Sequence, residues 1–332
     1  MRTSRSCVLV LNWNGPGITR ACLRSLAEAK VAAQDVLLVD NGSTDGSPEA
    51  LAREFPDVRQ LVLPRNAGYT GGNNAGFRLL LEEDRYRYAL VLNNDATVAP
   101  GMLERLERAL DDDARCGMAQ PKVLWPDGTV ENAGYAMDRY GMTLPRGRGA
   151  PGDAAFPSEG WFYASGACVL VRLETLREVG GFDEAYFGYH EDVDLAWRMR
   201  LAGWRLAYCD DVVCRHDEST TAGRSPKKIG VIWRNRYRTL LKDYGAARAW
   251  LRLPAAVMLT TVVALGVSVK ERDPAYVGMH ARALAWNARR LPDTLRERRR
   301  VQATRRAPDR AVCAAMRRRS VEMDLILRRK GA

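Results

Sequence analysis

The feature that most constrains the fold is a repeated unit. A short, unbroken apolar run ends in amides or a carboxylate, and a segment with apolar residues at helical spacing follows it. Residues 7–12 (Cys-Val-Leu-Val-Leu-Asn) read as a buried first strand, and residues 13–17 as a turn. Ile18, Cys22, Leu23 and Leu26 then mark one face of a helix running to Lys30. Residues 36–39, 58–63, 88–92 and 117–124 repeat the strand, and 48–54, 73–83 and 101–112 repeat the helix, with 65–72 as a loop. This alternation predicts an α/β fold with a mostly parallel sheet between helices, right-handed crossovers and one ligand edge at the strand ends.

After Trp125 the rhythm breaks. Residues 141–160 are rich in Gly and Pro and read as an exposed, mobile loop. A strand is expected within 161–171, helices over 173–179, 190–201 and 229–244, and a further strand over 204–209. This second half is expected to cover the ligand edge of the first.

Four polar groups fall where strands end: Asn12 and Asn14, Asp40, Arg65-Asn66-Ala67-Gly68, and Asn93-Asn94-Asp95. Each alone reads equally well as a solvated turn, and Asp95 as a helix cap. By parallel topology they share one crevice, where ligands of open α/β sheets bind. Gly71-Gly72-Asn73-Asn74 suits either a diphosphate at a helix start or a tight turn. No GxGxxG fingerprint follows the first strand, which argues against a dinucleotide enzyme.

A second cluster, His190-Glu191-Asp192-Val193-Asp194, places three carboxylates in one helical turn. They can complement the helix dipole, or one of them, facing inward among Tyr186, Phe187, Tyr189 and Trp197, can act as a general base. Arg215-His216-Asp217 is a third feature. A lone His is commonly structural, yet Asp95 with His216 makes a mixed oxygen and nitrogen site suited to Mg²⁺ or Mn²⁺, with diphosphate oxygens and water completing the shell.

Taken as a set, Val-Leu-Asn-Trp-Asn-Gly at 10–15, Val-Asp-Asn-Gly-Ser-Thr-Asp at 39–45, Asn-Ala-Gly-Tyr at 66–69, Leu-Asn-Asn-Asp at 92–95 and His-Glu-Asp-Val-Asp-Leu-Ala-Trp-Arg at 190–198 resemble the family 2 inverting glycosyltransferases of GT-A fold. The rhamnosyltransferase-like subgroup is the most similar, and the resemblance covers about residues 6–245. It implies a dTDP- or UDP-sugar donor, with Asn12 under the nucleotide, Asp40 at the base or ribose, and Asn14, Asn66 and Gly68 on the donor side. Asn93 and Asp95, also on the donor side, stand at the ends of the family's metal-binding Asp-x-Asp, with Asp95 as metal contact, Asn93 left to hydrogen-bond the nucleotide and His216 as a second ligand. Asp192 matches the catalytic base, while Ser165, Gly166 and Glu191 match the acceptor side. Asn93 in place of an acid lowers the negative charge of the metal site. The implied reaction is a single displacement onto a glycan or lipid-linked acceptor in cell-wall or polysaccharide synthesis.

Charge separates the end of the chain from its body. The formal net charge is +11, and residues 270–332 carry it, with 18 Lys and Arg against 7 Asp and Glu. A neutral body with a basic end suggests one anionic surface met by one segment. Residues 253–269 hold no charge but fall short of the ~20 apolar residues of a bilayer span. A span, an interfacial helix and a core helix are therefore all compatible with them. The expected organisation is a nucleotide-binding half (1–124), an acceptor-side half (125–245) and a membrane-associating end (246–332), located at the cytoplasmic face of the cell membrane. Seven cysteines without a paired spacing, and a first apolar run too short for a signal-peptide core, fit that location. Processive synthases usually carry several spans and Gln-x-x-Arg-Trp; neither is present, so transfer of a single sugar is expected. Nucleic acid is not an expected partner, and self-association stays open. The competing reading is a non-catalytic membrane- or nucleic-acid-binding module using the basic end. A sugar-nucleotide synthesising enzyme would need a glycine-rich basic loop after the first strand, which 12–15 lacks.

Overall fold

The computed structural model describes residues 5–217 and 226–327; the end of the expected basic tail, 328–332, lies outside the described residues. Strands β1 (Ser6–Asn12), β2 (Val36–Asp40), β3 (Arg59–Val62) and β4 (Tyr88–Asn93) alternate with helices α1 (Pro16–Glu28), α2 (Ser47–Glu54) and α3 (Gly68–Glu83). After β4 come β5 (Ala96–Val98), α4 (Met102–Asp111), β6 (Cys116–Leu124) and three short strands, β7 (Val130–Asn132), β8 (Tyr135–Met137) and β9 (Thr143–Pro145). Next are β10 (Cys168–Arg172), α5 (Leu173–Val179), α6 (Glu191–Leu201) and β11 (Arg205–His216). The rest is helical: α7 (Pro226–Asp243), α8 (Ala246–Glu271), α9 (Ala275–Arg289), α10 (Leu291–Ala303), α11 (Asp309–Ala314) and α12 (Val321–Leu327).

The main sheet has nine strands in the order β3-β2-β1-β4-β10-β6-β11-β5, with β7 beside β6. β1, β2, β3 and β4 are mutually parallel, as the alternation predicts. β10 then runs antiparallel between β4 and β6, so β6 is not the neighbour of β4 although it points the same way. Both faces are apolar. Val8, Val10, Leu38, Leu90 and Leu92 pack beneath α1, α2 and α4, while Leu9, Leu37, Ala89 and Val91 pack against α3, α5 and α6. Truncating any one of these buried leucines to Ala costs roughly 2–5 kcal/mol.

Three local expectations are corrected. α3 begins at Gly68, not Asn73, so most of the expected loop 65–72 is helical. The reason is packing: a Cβ at Gly72 or Gly76 would stand 2.4 or 2.2 Å from a methyl of Leu11 or Leu9, so these glycines let the helix lie close on β1. β11 continues to His216, well past the expected end at Cys209, by a bulge between Cys209 and Val213. Residues 141–160 are only partly loop, because β9 pairs with β8 and Arg146 binds the carbonyls of Ala133 and Pro157.

α7 joins the sheet to the C-terminal helices, packing on α6, α8, α9 and α10. It does so with buried charge. Arg236, with no exposure, makes two bonds of 3.0 Å to Glu322 on α12. Lys242 bonds Asp183 (2.7 Å) and Asp194 (2.5 Å). Among the described residues all seven cysteines are buried and unbridged.

Candidate active site

At the carboxyl ends of β1 and β2, amides and a carboxylate bind one another. Asn12 Nδ2 donates to Asp40 Oδ2 (2.8 Å), and Asn12 Oδ1 accepts from Thr19 Oγ1 (2.6 Å). Asp40 also accepts from Ser43 N (2.8 Å) and Ser43 Oγ (2.7 Å). Asn12 and Asp40 are 0% and 1% exposed, so a ligand reaches either side chain only if these bonds rearrange. Asn14 is exposed, and its Oδ1 accepts from Thr44 N (2.8 Å). Asn94 Nδ2 donates to Thr19 Oγ1 (2.9 Å), tying the end of β4 to the same corner.

At the head of α3, Asn66 Oδ1 accepts from Gly68 N (2.8 Å) and from Asn41 Nδ2 (3.2 Å). Asn41 closes the loop by accepting from Ala67 N (2.9 Å). Gly68 has φ +74°, and a Cβ there would stand 2.4 Å from Phe187 O. Only glycine allows this approach of α3 to the segment before α6.

Past the end of β4, Asp95 meets the last residue of β11. His216 Nε2 is 3.1 Å from Asp95 Oδ1, and His216 Nδ1 donates to Glu131 Oε2 at 2.7 Å. Burial disfavours charge on this ring, but the Asp95 and Glu131 carboxylates beside it outweigh that and raise the imidazole to about 10. Asn93 Nδ2 lies 3.3 Å from the same Nε2. Asp95 Oδ1 is buried yet receives no well-directed hydrogen bond. An underused carboxylate oxygen beside a histidine held through its other nitrogen fits a divalent cation, which on binding would displace the proton that the raised imidazole carries on Nε2. Among the described residues no cluster of three or more ligating side chains forms, so such an ion would take its remaining ligands from substrate and water.

The helix expected to carry the base separates its carboxylates by environment. Asp194 is fully buried and bonded to Arg198 (2.8 Å) and Lys242 (2.5 Å), so it holds α6 in place. Glu191 is buried with Oε2 unbonded, and burial together with neighbouring Asp192 keeps its carboxyl well above the usual range. Asp192 is less enclosed. Burial pushes it up to about 6, against backbone N–H groups of Val193 and Gly166 that favour its charge. Two adjacent carboxyls with divergent environments are the pattern of an acid–base site, with Asp192 the one that titrates in the useful range.

Asp192 Oδ2 accepts from Gly166 N at 3.4 Å, and Gly166 O accepts from Tyr69 Oη at 2.7 Å. Ser165 N donates to Gln120 Oε1 (2.6 Å), so the 165–167 segment is braced from β6. The Tyr69 hydroxyl feels Glu191, Asp192 and Asp95 together, and burial with those charges lifts it well above its ordinary range. The start of α6, the 165–167 segment and the Asp95 corner therefore converge around one tyrosine.

The segment leading into α6 is strained. Phe187, Tyr189 and His190 have φ of 65°, 65° and 75°, in the left-handed region that side chains disfavour. α7 holds them: Asn235 Nδ2 donates to the carbonyls of Tyr189 (2.7 Å), Gly188 (3.0 Å) and Tyr186 (3.3 Å), and Arg234 donates to Tyr186 O (2.7 Å). Asn235 is completely buried. Of the residues that organise the site, Tyr69 lies in a motif visible in the sequence. Glu131, Gln120 and Asn235 carry no such signal.

Comparison with known proteins places this geometry. The family described as "Glycosyltransferase like family 2" matches residues 5–239. The chain is 36% identical over 237 residues to the N-acetylglucosaminyl-diphospho-decaprenol L-rhamnosyltransferase of Mycobacterium tuberculosis, covering 64% of this chain and 75% of that one. Its fold is similar to that of GalNAc-T7 solved with UDP, GalNAc and Mn²⁺ (TM-score 0.58, 15% identity, 74% of this chain and 49% of that one). It is also similar to the mannosyltransferase PcManGT of Pyrobaculum calidifontis solved with GDP-Man and Mn²⁺ (TM-score 0.52, 17% identity, 87% of each chain). The mixed sheet with its flanking helices is thus the GT-A fold, and the chain belongs to glycosyltransferase family 2.

Proposed function

We propose that this glycosyltransferase inverts configuration as it moves one sugar, in the first instance rhamnose, from a dTDP- or UDP-sugar to a hydroxyl of a lipid-linked glycan. The carrying observation is the contrast at the start of α6: burial pushes Asp192 up to about 6, burial and Asp192 push Glu191 well above its usual range, and Asp194 is ion-paired with Arg198 and Lys242. Asp192 takes the proton of the acceptor hydroxyl, the freed oxygen bonds to the anomeric carbon, and the bond to the nucleoside diphosphate breaks with its electron pair. One displacement leaves the anomeric centre inverted. Asp95 and His216 would hold a divalent cation, Mg²⁺ or Mn²⁺, which when bound supplies positive charge beside the departing diphosphate. Asn93, beside His216 Nε2, is assigned to hydrogen-bond the nucleotide, and Tyr69 with Gly166 keeps the floor of the acceptor side next to the base. The donor side is assigned to the strand-end residues Asn12, Asn14, Asp40, Asn66 and Gly68.

The choice of sugar and acceptor follows the mycobacterial relative, whose name specifies L-rhamnose and a decaprenyl diphosphate carrier. Such an acceptor would put the enzyme at the cytoplasmic membrane face in cell-wall or polysaccharide synthesis. The test is a donor screen with purified protein, reading nucleoside diphosphate release and the anomeric configuration of the product by NMR. Inverted rhamnosyl product supports the reading. Retained configuration, or full turnover by Asp192→Asn, overturns it.

A further inference from the structure

The outward side of α8 carries Trp250, Leu251, Met258, Val262, Leu265 and Val269, exposed by 82%, 64%, 63%, 49%, 51% and 79%. At about 100° per residue these six fall within an arc of about 120°. No charged residue occurs between Arg252 and Lys270, so the solvent-facing stripe is apolar along most of a 26-residue helix. On α9, which packs beside α8, Val277 and Leu284 are exposed as well. A stripe this long on a folded surface marks an interaction site.

The opposite side of α8 is not free to leave the protein. Thr260 Oγ1 donates to Glu322 (3.0 Å), and Ala256 O accepts from Arg236 (3.3 Å), whose guanidinium is paired with the same Glu322. Crossing a bilayer would take the Thr260 hydroxyl and the Ala256 carbonyl away from a fully buried ion pair, which argues against a span while α8 is packed in this way. Exposed basic residues flank the stripe: Lys270 and Arg272 at the α8–α9 turn, and Arg282, Arg289 and Arg290 along and after α9. On α9, Arg282 and Arg289 lie roughly 120–160° around the helix from the Val277–Leu284 line, so Lys270 and Arg272, at the end of the α8 stripe, are the basic groups nearest the apolar face.

We propose that this face is a membrane-docking surface, with α8 lying flat at the headgroup–acyl boundary of a bilayer that contains anionic lipid. Basic flanks select a lipid surface over a second copy of the chain, whose equally basic end would repel it. The inference deepens the lipid-linked acceptor reading by naming the surface that brings the enzyme to its substrate.

The test uses the full chain and vesicles of phosphatidylcholine with or without phosphatidylglycerol. Flotation with the anionic vesicles is expected, falling about tenfold or more in Leu251→Glu/Met258→Glu/Val262→Glu and falling with added salt. Lipids brominated near the headgroup should quench Trp250 more than lipids brominated at the chain ends, and Trp250→Phe should remove that quenching. Should the triple variant misfold by circular dichroism, Trp250→Glu alone carries the flotation test. Unchanged flotation of the variants, stronger quenching from the chain ends, or a lipid-free dimer dispersed by the same substitutions would overturn the proposal. Thermal shift by dTDP and UDP is recorded alongside. If nucleotide binding survives while flotation fails, the docking surface alone is wrong; if flotation holds without nucleotide binding, the glycosyl-transfer reading is.

Discussion

Glu131 Oε2 accepts a 2.7 Å hydrogen bond from His216 Nδ1, which turns the other ring nitrogen toward Asp95 Oδ1 at 3.1 Å. The carboxylate comes from a three-residue strand and the histidine from the end of β11, 85 positions later. Both side chains are buried, so the ring has no freedom to turn for water.

In the proposed cation site, Glu131 is the residue that would position His216. Partners that orient a ligating histidine commonly change metal affinity by about 10–100-fold when removed. Glu131→Ala should weaken Mn²⁺ binding by about that factor in a titration followed by electron paramagnetic resonance, with Glu131→Gln in between. Equal affinity in all three proteins would show that His216 is not part of a cation site.

As the proposed base, Asp192 should give the rate an acid limb. Burial raises its carboxyl to about 6, so the group is protonated and idle below that value and ionised above it. kcat/KM should therefore rise about tenfold per pH unit up to about 6 and then level off. Asp192→Asn should remove the limb and lower turnover by about 10²–10⁴-fold while leaving nucleotide binding intact. An unshifted limb in an active Asp192→Asn enzyme would assign the base elsewhere.

The segment 186–190, which includes the strained residues, is held from α7 by Asn235 and, at Tyr186, also by Arg234. Asn235 donates to three carbonyls there, and nothing about an Asn in a basic helix announces that task. Asn235→Ala leaves buried carbonyls short of donors, at a cost of about 1–3 kcal/mol in urea unfolding. Release of the backbone should also change the surroundings of Asp192, so the acid limb should move while KM for the donor changes little. A stability loss with the limb fixed at its old position would make Asn235 purely structural.

These residues show where the sequence was readable. The first four strands carry their own signal, since Cys7–Leu11 or Tyr88–Leu92 are apolar on both faces and end in polar residues whatever their neighbours are. Asp95, His216 and Asp192 stood out because ionisable groups at the ends of apolar elements are conspicuous. The start of α3 did not, because Gly71 and Gly72 lower helix propensity while the close approach to Leu11 that requires Gly72 is a tertiary fact. The insertion of β10 between β4 and β6 is equally invisible, as alternation gives strand direction without strand order. Glu131 and Asn235 acquire meaning only from partners brought to them by the fold.

Lys242 offers a separate check on the buried charges beneath α6. Its ammonium bonds Asp183 (2.7 Å) and Asp194 (2.5 Å), and Arg238 reaches Asp183 from the preceding turn (2.9 Å). Burial alone would raise the Asp183 carboxyl, but Lys242 and Arg238 outweigh it and hold it well below the ordinary range. A carboxylate depressed on folding stabilises the protein above its unfolded pKa of ~3.9, and that contribution is lost as pH falls toward the folded value. Wild-type urea midpoints should therefore drop as the solution is acidified below about pH 4. Lys242→Met leaves two buried carboxylates short of a counter-charge, for a loss of roughly 3–5 kcal/mol at neutral pH. With one of its two countercharges gone and only Arg238 left, Asp183 should protonate more readily, so the variant should recover part of that loss on mild acidification while wild type does not. A pH-independent deficit in Lys242→Met would mean that packing of the lysine stem, rather than its charge, is what α6 and α7 share.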